Sequence, residues 1–238
     1  MKWFYILIAF IFISCKGPTF AKEFNNDTTG LKSDATTNDI QGKERLFEKT
    51  VYDFINAYNT KKSDNLKEFI HSNTGIYIIY RIGSVDFWKR EKTICFSGDC
   101  EFDGNVPEAV RNTIDQQHLP IDQQLMYSRK EIVKSCDSIT ERGLFYVKTP
   151  TSQNFVSKTM KDFKDAMSTD SSFFNSEELD ALNTEIKAIQ DWEKDSRQIV
   201  LSYDDRGEYG GAFIFYLTYI KNKWYLTALD FVSTDCSI

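Results

Sequence analysis

Histidine is nearly absent from this chain: its 238 residues contain two, His71 and His118. His71 follows a short apolar segment and His118 precedes Leu119-Pro120 in a polar stretch. A lone loop histidine is more often exposed than catalytic. No G-x-S-x-G elbow, glycine-rich phosphate loop or H-E-x-x-H occurs, so the sequence lacks the usual nucleophile, nucleotide and zinc-protease signatures. No C-x-x-C occurs among the five cysteines, which disfavours zinc-ribbon and thioredoxin-type sites. Positive charge is not in excess either. The net charge is −6 with both signs mixed along the chain, which argues against nucleic-acid binding and against adhesion to anionic lipid. No metal or other cofactor is expected.

What is present is enough for a core. The chain is 41% hydrophobic and 15% aromatic, which excludes global disorder, and its length fits one domain with a tail. The start is different in kind. Lys2 precedes an almost wholly apolar run from Trp3 to Ile13. That run is shorter than the ~20 residues needed to span a bilayer and matches the h-region of an export signal. It ends Phe12-Ile13-Ser14-Cys15, and Lys16-Gly17-Pro18 would stop any helix continuing past it.

The Phe12-Ile13-Ser14-Cys15 junction resembles the lipobox of bacterial lipoproteins, in the phenylalanine-tolerant form of Bacteroidota. The resemblance implies that residues 1–14 are a signal peptide and that Cys15 is lipidated as the first mature residue. It implies three acyl chains and a permanent anchor. Lys16 in place of Asp points to the outer membrane. With no acidic run after Cys15, the periplasmic side is favoured. Residues 15–43 then read as lipidated cysteine and flexible tether, rich in Asn, Asp, Thr, Ser and Gly. Such a tether reaches about 29 Å r.m.s..

Residues 44–238 read as a single α+β domain. Phe47, Val51, Phe54, Ile55 and Tyr58 predict an amphipathic helix over 44–59. Ser63 is placed to cap a second, shorter one. GIYIIYRIG (75–83) predicts a buried strand, and 84–96 a second with Phe87 and Trp88. A short helix is predicted at 106–116 and a strand at 143–149. Two helices follow, at 152–168 and from Ser176, the latter with a capping box of Asn175 and Glu178. The final third predicts strands at 197–203, 211–220 and 223–232, the last two forming a hairpin through Lys221-Asn222. The expected layout is helices on one side of a curved antiparallel sheet, with a helical insertion. The opening helix pair and the closing KNKWYLTALDF hairpin resemble the NTF2-like (cystatin-like) group, which implies a cone-shaped sheet with a pocket.

With Cys15 lipidated, four cysteines remain: Cys95, Cys100, Cys136 and Cys236. In an oxidising compartment they allow three connectivities. The favoured one joins Cys95 to Cys100 across a turn at Gly98, and Cys136 to Cys236. Free buried thiols are the alternative. Asp99, Glu101 and Asp103 with Gly104 copy the start of a calcium loop, but Val110 stands where the closing Glu belongs, so an acidic turn is expected.

The candidate catalytic groups are few. Asp230, inside the last strand, could act as a base if it faced a pocket, with His71 as partner. Asp204, Asp205 and Glu208 read better as turn formers. Tyr80-Arg81 could hold an anionic ligand, although an ion pair is the commoner use. The leading expectation is therefore an outer-membrane-anchored lipoprotein that binds a small ligand or an envelope protein. A hydrolase or isomerase-like pocket enzyme using Asp230 is the alternative.

Overall fold

Phe47, Val51, Phe54, Ile55 and Tyr58 are each 1% exposed or less, on the inner face of helix α1 (Asp34–Asn59). The helix therefore forms where its apolar stripe can be buried. It also starts ten residues before the predicted point. Residues 39–42 are exposed and carry no stripe; they extend a helix whose nucleus lies in the packed part, since adding a turn costs far less than starting one. The computed structural model describes residues 34–102, 106–130, 132–135, 138–139, 141–148, 154–167, 174–203 and 211–233.

A 3₁₀ turn (Ser63–Phe69) follows α1 and buries Leu66 and Phe69. Ser63 does not cap it. Its hydroxyl instead accepts the Phe96 amide at 3.3 Å and contacts Cys100 Sγ at 3.2 Å, so a residue chosen for a local cap serves a distant loop. Next come β1 (Ile76–Ile82), β2 (Val85–Glu91), α2 (Glu108–Gln116) and the short strands β3 (Leu125–Ser128), β4 (Val133–Ser135) and β5 (Ser138–Ile139). Then follow β6 (Gly143–Val147), α3 (Phe155–Met167), α4 (Ser176–Glu193), β7 (Ser196–Ser202), β8 (Ala212–Ile220) and β9 (Lys223–Asp230).

The chain is an α+β protein built on an open seven-stranded sheet, ordered β2-β1-β9-β8-β7-β6-β3. Pairing is antiparallel except for β1 with β9 and β3 with β6. The β8–β9 hairpin turns through Lys221 (φ 47°) and Asn222 (φ 67°), the positive pair a two-residue turn requires. The α4 capping box is formed as predicted: Asn175 Oδ1 accepts the Glu178 amide at 2.9 Å, and Glu178 Oε2 accepts the Asn175 amide at 2.9 Å.

Helices cover both faces of the sheet, where the sequence suggested one. Alternation along the strands explains why. Ile76, Ile78 and Tyr80 of β1 face the layer of α1, the 3₁₀ turn and α2; Tyr77 and Ile79 face α3 and α4. Both sets are apolar, so a one-sided layer would leave a hydrophobic face wet. The α3–α4 insertion supplies the second cover.

One buried charge fixes α1 on the sheet. The Arg197 side chain, on β7, is 8% exposed and binds Glu44 of α1 through both carboxylate oxygens, with Nη1 to Oε2 at 2.6 Å. Its guanidinium lies 4.4 Å from the Phe47 ring centroid, 4.9 Å from Trp224 and 5.4 Å from Tyr146. Arginine suits this place because its planar cation stacks on rings while its fork meets a carboxylate. Trp224 adds a bond from Nε1 to the Lys43 carbonyl at 3.2 Å, and Lys43 Nζ reaches Asp195 at 3.1 Å. The Arg197 hydrogen bond holds the Glu44 carboxyl below its ordinary 4.5. A lowered acid stabilises the fold above the unfolded value and loses that contribution as pH falls through the folded one. Glu44→Ala should cost about 2 kcal/mol, less than a fully buried pair because Glu44 is half-exposed. Urea denaturation of wild type and Glu44→Gln should differ at pH 7 and converge as the pH drops below 4.5.

Candidate functional site

Asp230 closes β9 and is 2% exposed. Its Oδ1 accepts the amides of Val232 at 3.0 Å and Ser233 at 2.9 Å, and its Oδ2 accepts the Ser233 hydroxyl at 2.6 Å. The side chain thus turns the main chain out of the sheet, as Asp commonly does at strand ends. Burial pushes its carboxyl up, opposed by those three donors. His71 is not beside it. The His71 ring packs edge-on to Tyr225, at a centroid distance of 5.0 Å, and Nδ1 meets Thr74 Oγ1 at 3.2 Å. Tyr225 and Asp230 are five residues apart on one strand, about 17 Å. The two candidate catalytic groups therefore occupy opposite ends of β9.

Tyr80 and Arg81 are adjacent in β1, so their side chains leave opposite faces of the sheet and do not share a site. Tyr80 is buried against Phe87, and that burial raises its phenol. Arg81 Nε binds Asp86 Oδ1 at 2.7 Å across the β1–β2 hairpin. Beside this ion pair a cleft of about 250 Å³ opens between the hairpin and α3, with Thr159, Asp162 and Phe163 on its far wall. His118 is exposed in the loop after α2.

Cys95 and Cys100 form a disulfide, with Gly98 at φ 79° in the turn between them. That angle is why glycine occupies the position. Ser97 donates its amide to Asp115 Oδ1 at 2.8 Å, which ties the loop to α2. Asp99, the first residue of the calcium-like stretch, is engaged elsewhere: its Oδ2 accepts the Ser63 amide at 2.5 Å. That contact holds its carboxyl below the ordinary 3.8. Among the described residues no three His, Cys, Asp or Glu side chains converge as a metal site. The loop and α2 enclose a cleft of about 320 Å³, with Phe96, Phe102, Arg111 and Asn112 among its lining. Cys15, Asp103, Gly104, Cys136, Asp204, Asp205, Glu208 and Cys236 lie outside the described residues.

Lys61, half-buried, and Glu193, buried, carried no local signal in the sequence, and both cap helices from a distance. Lys61 Nζ donates to the carbonyls of Ile114 at 2.8 Å and Gln117 at 2.6 Å, at the end of α2. It stands 4.0 Å over the Tyr58 ring and 5.0 Å over Phe96. Burial lowers its amine to about 8. Glu193 sits at the other kind of helix end. It is 2% exposed, and its Oε1 accepts the Val156 amide at 2.6 Å in the first turn of α3. Cation at a C-terminus and anion at an N-terminus both complement the helix dipole. The second face also buries hydroxyls: Ser196 Oγ meets Thr218 Oγ1 at 2.6 Å, and Thr218 Oγ1 meets Thr227 Oγ1 at 2.7 Å. The partners are other hydroxyls and the Tyr216 carbonyl, none of them a general base that would activate a nucleophile.

Burial raises the Glu193 carboxyl to about 7, against the helix amides that lower it. Between the unfolded value of 4.5 and about 7 the folded chain holds the proton more tightly, so stability falls as pH rises through that window. The loss should be roughly 3 kcal/mol. In Glu193→Gln the same urea series should be flat by comparison. For this disulfide, reduction should add one pair of hydrogens to the proteolytic fragment that carries Cys95 and Cys100, and Cys100→Ser should cost about 2 kcal/mol for so short a loop. Comparison with known families, curated proteins and solved structures finds no match to this chain.

Proposed function

We propose that this chain is an exported lipoprotein, anchored to the outer membrane through Cys15, whose folded part is a non-enzymatic binding module. The observation that supports binding over catalysis is the state of Asp230. A base must reach its substrate with a free lone pair. The carboxylate of Asp230 is buried and occupied by Val232 and Ser233, about a strand's length from the imidazole of His71. Anchoring rests on the apolar run and the Phe12-Ile13-Ser14-Cys15 junction. No helix among the described residues is long and apolar enough to cross a membrane, so a lipid would be the means of attachment on this reading.

Metabolic labelling with a palmitate analogue should mark the wild-type protein and not Cys15→Ala, and the variant should leave the membrane fraction. An unmodified Met1 or a free Cys15 in the mass spectrum of the mature protein would refute the anchor. The enzymatic alternative has its own check. Esterase, phosphatase and glycosidase substrates should be turned over no faster with wild type than with Asp230→Asn. An activity lost in Asp230→Asn while its thermal midpoint is retained would establish the enzyme instead.

A further inference from the structure

We infer that the outer edge of β3 is the docking surface of the binding module proposed above, and that it takes up an extended, acidic segment of a partner protein as an added strand. The inference rests on the binding reading and specifies its surface. β3 ends the seven-stranded sheet. Its inner edge pairs with β6, from Leu125↔Leu144 to Ser128↔Val147, and no strand among the described residues pairs with its outer edge.

The direction of its main-chain groups follows from one hydrogen bond. The Leu125 amide donates to Tyr52 Oη at 2.8 Å, so it faces away from β6. Main-chain groups alternate along a strand, so the amide and carbonyl of Tyr127 face the same way, outward. Tyr52 already holds the Leu125 amide, so the outward groups left for another extended backbone are those of Tyr127.

Side chains favour the same use. Of the five large apolar side chains exposed among the described residues, two lie in β3, Met126 at 41% and Tyr127 at 51%, and a third, Ile121 at 58%, precedes it by four residues. Met126 and Tyr127 leave opposite faces of the strand, so a neighbouring strand would meet an apolar contact on each side. Exposed apolar groups gathered at one place mark interaction surfaces. The segment is also held in shape before anything binds. Tyr52 Oη donates to the Gln123 carbonyl at 3.1 Å, and Asn59 bonds both the amide and the carbonyl of Leu119, at 2.8 Å and 2.7 Å. A preformed edge loses little entropy on binding.

Charge selects the occupant. Arg129 and Lys130 follow β3 directly and both are exposed. They would attract an acidic strand. A second copy of this chain is disfavoured, because it would carry the same basic pair to the edge.

The test uses full-length protein in detergent and fluorescent peptides of alternating valine and glutamate, read by anisotropy. The glutamate peptide should bind saturably. Replacing glutamate by lysine, or methylating alternate backbone amides, should each weaken binding by about tenfold or more. Tyr127→Pro should do the same without a change in circular dichroism, because the amide it removes faces outward and proline is tolerated there. Arg129→Glu with Lys130→Glu should weaken the glutamate peptide and reduce its salt dependence. Equal binding of the methylated peptide overturns the inference even if Tyr127→Pro proves unstable. So does equal binding by a folded Tyr127→Pro, or no binding of the glutamate peptide by wild type. A wild-type dimer that Tyr127→Pro dissociates would assign the edge to a second copy and overturn the acidic partner. None of these outcomes bears on the broader binding reading, which falls instead to an activity lost in Asp230→Asn.

Discussion

The crossing of α1 over the sheet sets the position of most other parts, and the buried guanidinium of Arg197 sets that crossing. It joins a helix residue, Glu44, to rings from α1, β6 and β9. An apolar side chain of similar size would fill the space but leave the helix freer to slide along its stripe. A forked cation surrounded by rings and one carboxylate admits a single register, because its charge is satisfied in only one arrangement. Further along, the same helix presents Tyr52, Tyr58 and Asn59, and the turn that follows it presents Lys61, to the main chain of residues 114–125. Through those bonds α2 and the start of β3 are positioned by α1 rather than by their own sparse apolar content.

The parts that could be read from the sequence are those whose signal is local. Helical stripes, alternating strands, the Asn175–Glu178 box and the turn at Lys221-Asn222 each need only a few neighbours to declare themselves. Gly98 between two close cysteines is of the same kind. The four-residue β3 (Leu-Met-Tyr-Ser) is not, since it is half-exposed and lies in a polar stretch without a period. The early start of α1 was hidden because a helix turn that touches nothing needs no apolar pattern. The second helical layer was visible only in part: strands with two apolar faces demanded it, but nothing local said which helices would supply it.

The site followed the same division. Residue types at Asp230, His71, Tyr80 and Arg81 suggested chemistry, while their roles depend on where the strand directs them. Adjacent residues in a strand cannot cooperate across its faces, and residues five apart cannot meet. Lys61 and Glu193 showed nothing locally because their partners are main-chain groups of distant helices. A carboxylate or amine that recognises a helix end leaves no mark in the sequence around that helix.

The parallel pairing of β1 with β9 joins strands roughly 150 residues apart in the chain. β1 lies between β2 and β9, so until β9 is made the first hairpin has no place in the sheet. A nascent chain of this topology cannot finish its core from the front. It stays open until its last strand emerges, and a chain that stays open is one that can still be threaded through a narrow channel before it folds. Loss of the final strand would therefore remove more than an edge, because it would cut the β1–β2 hairpin away from the rest of the sheet.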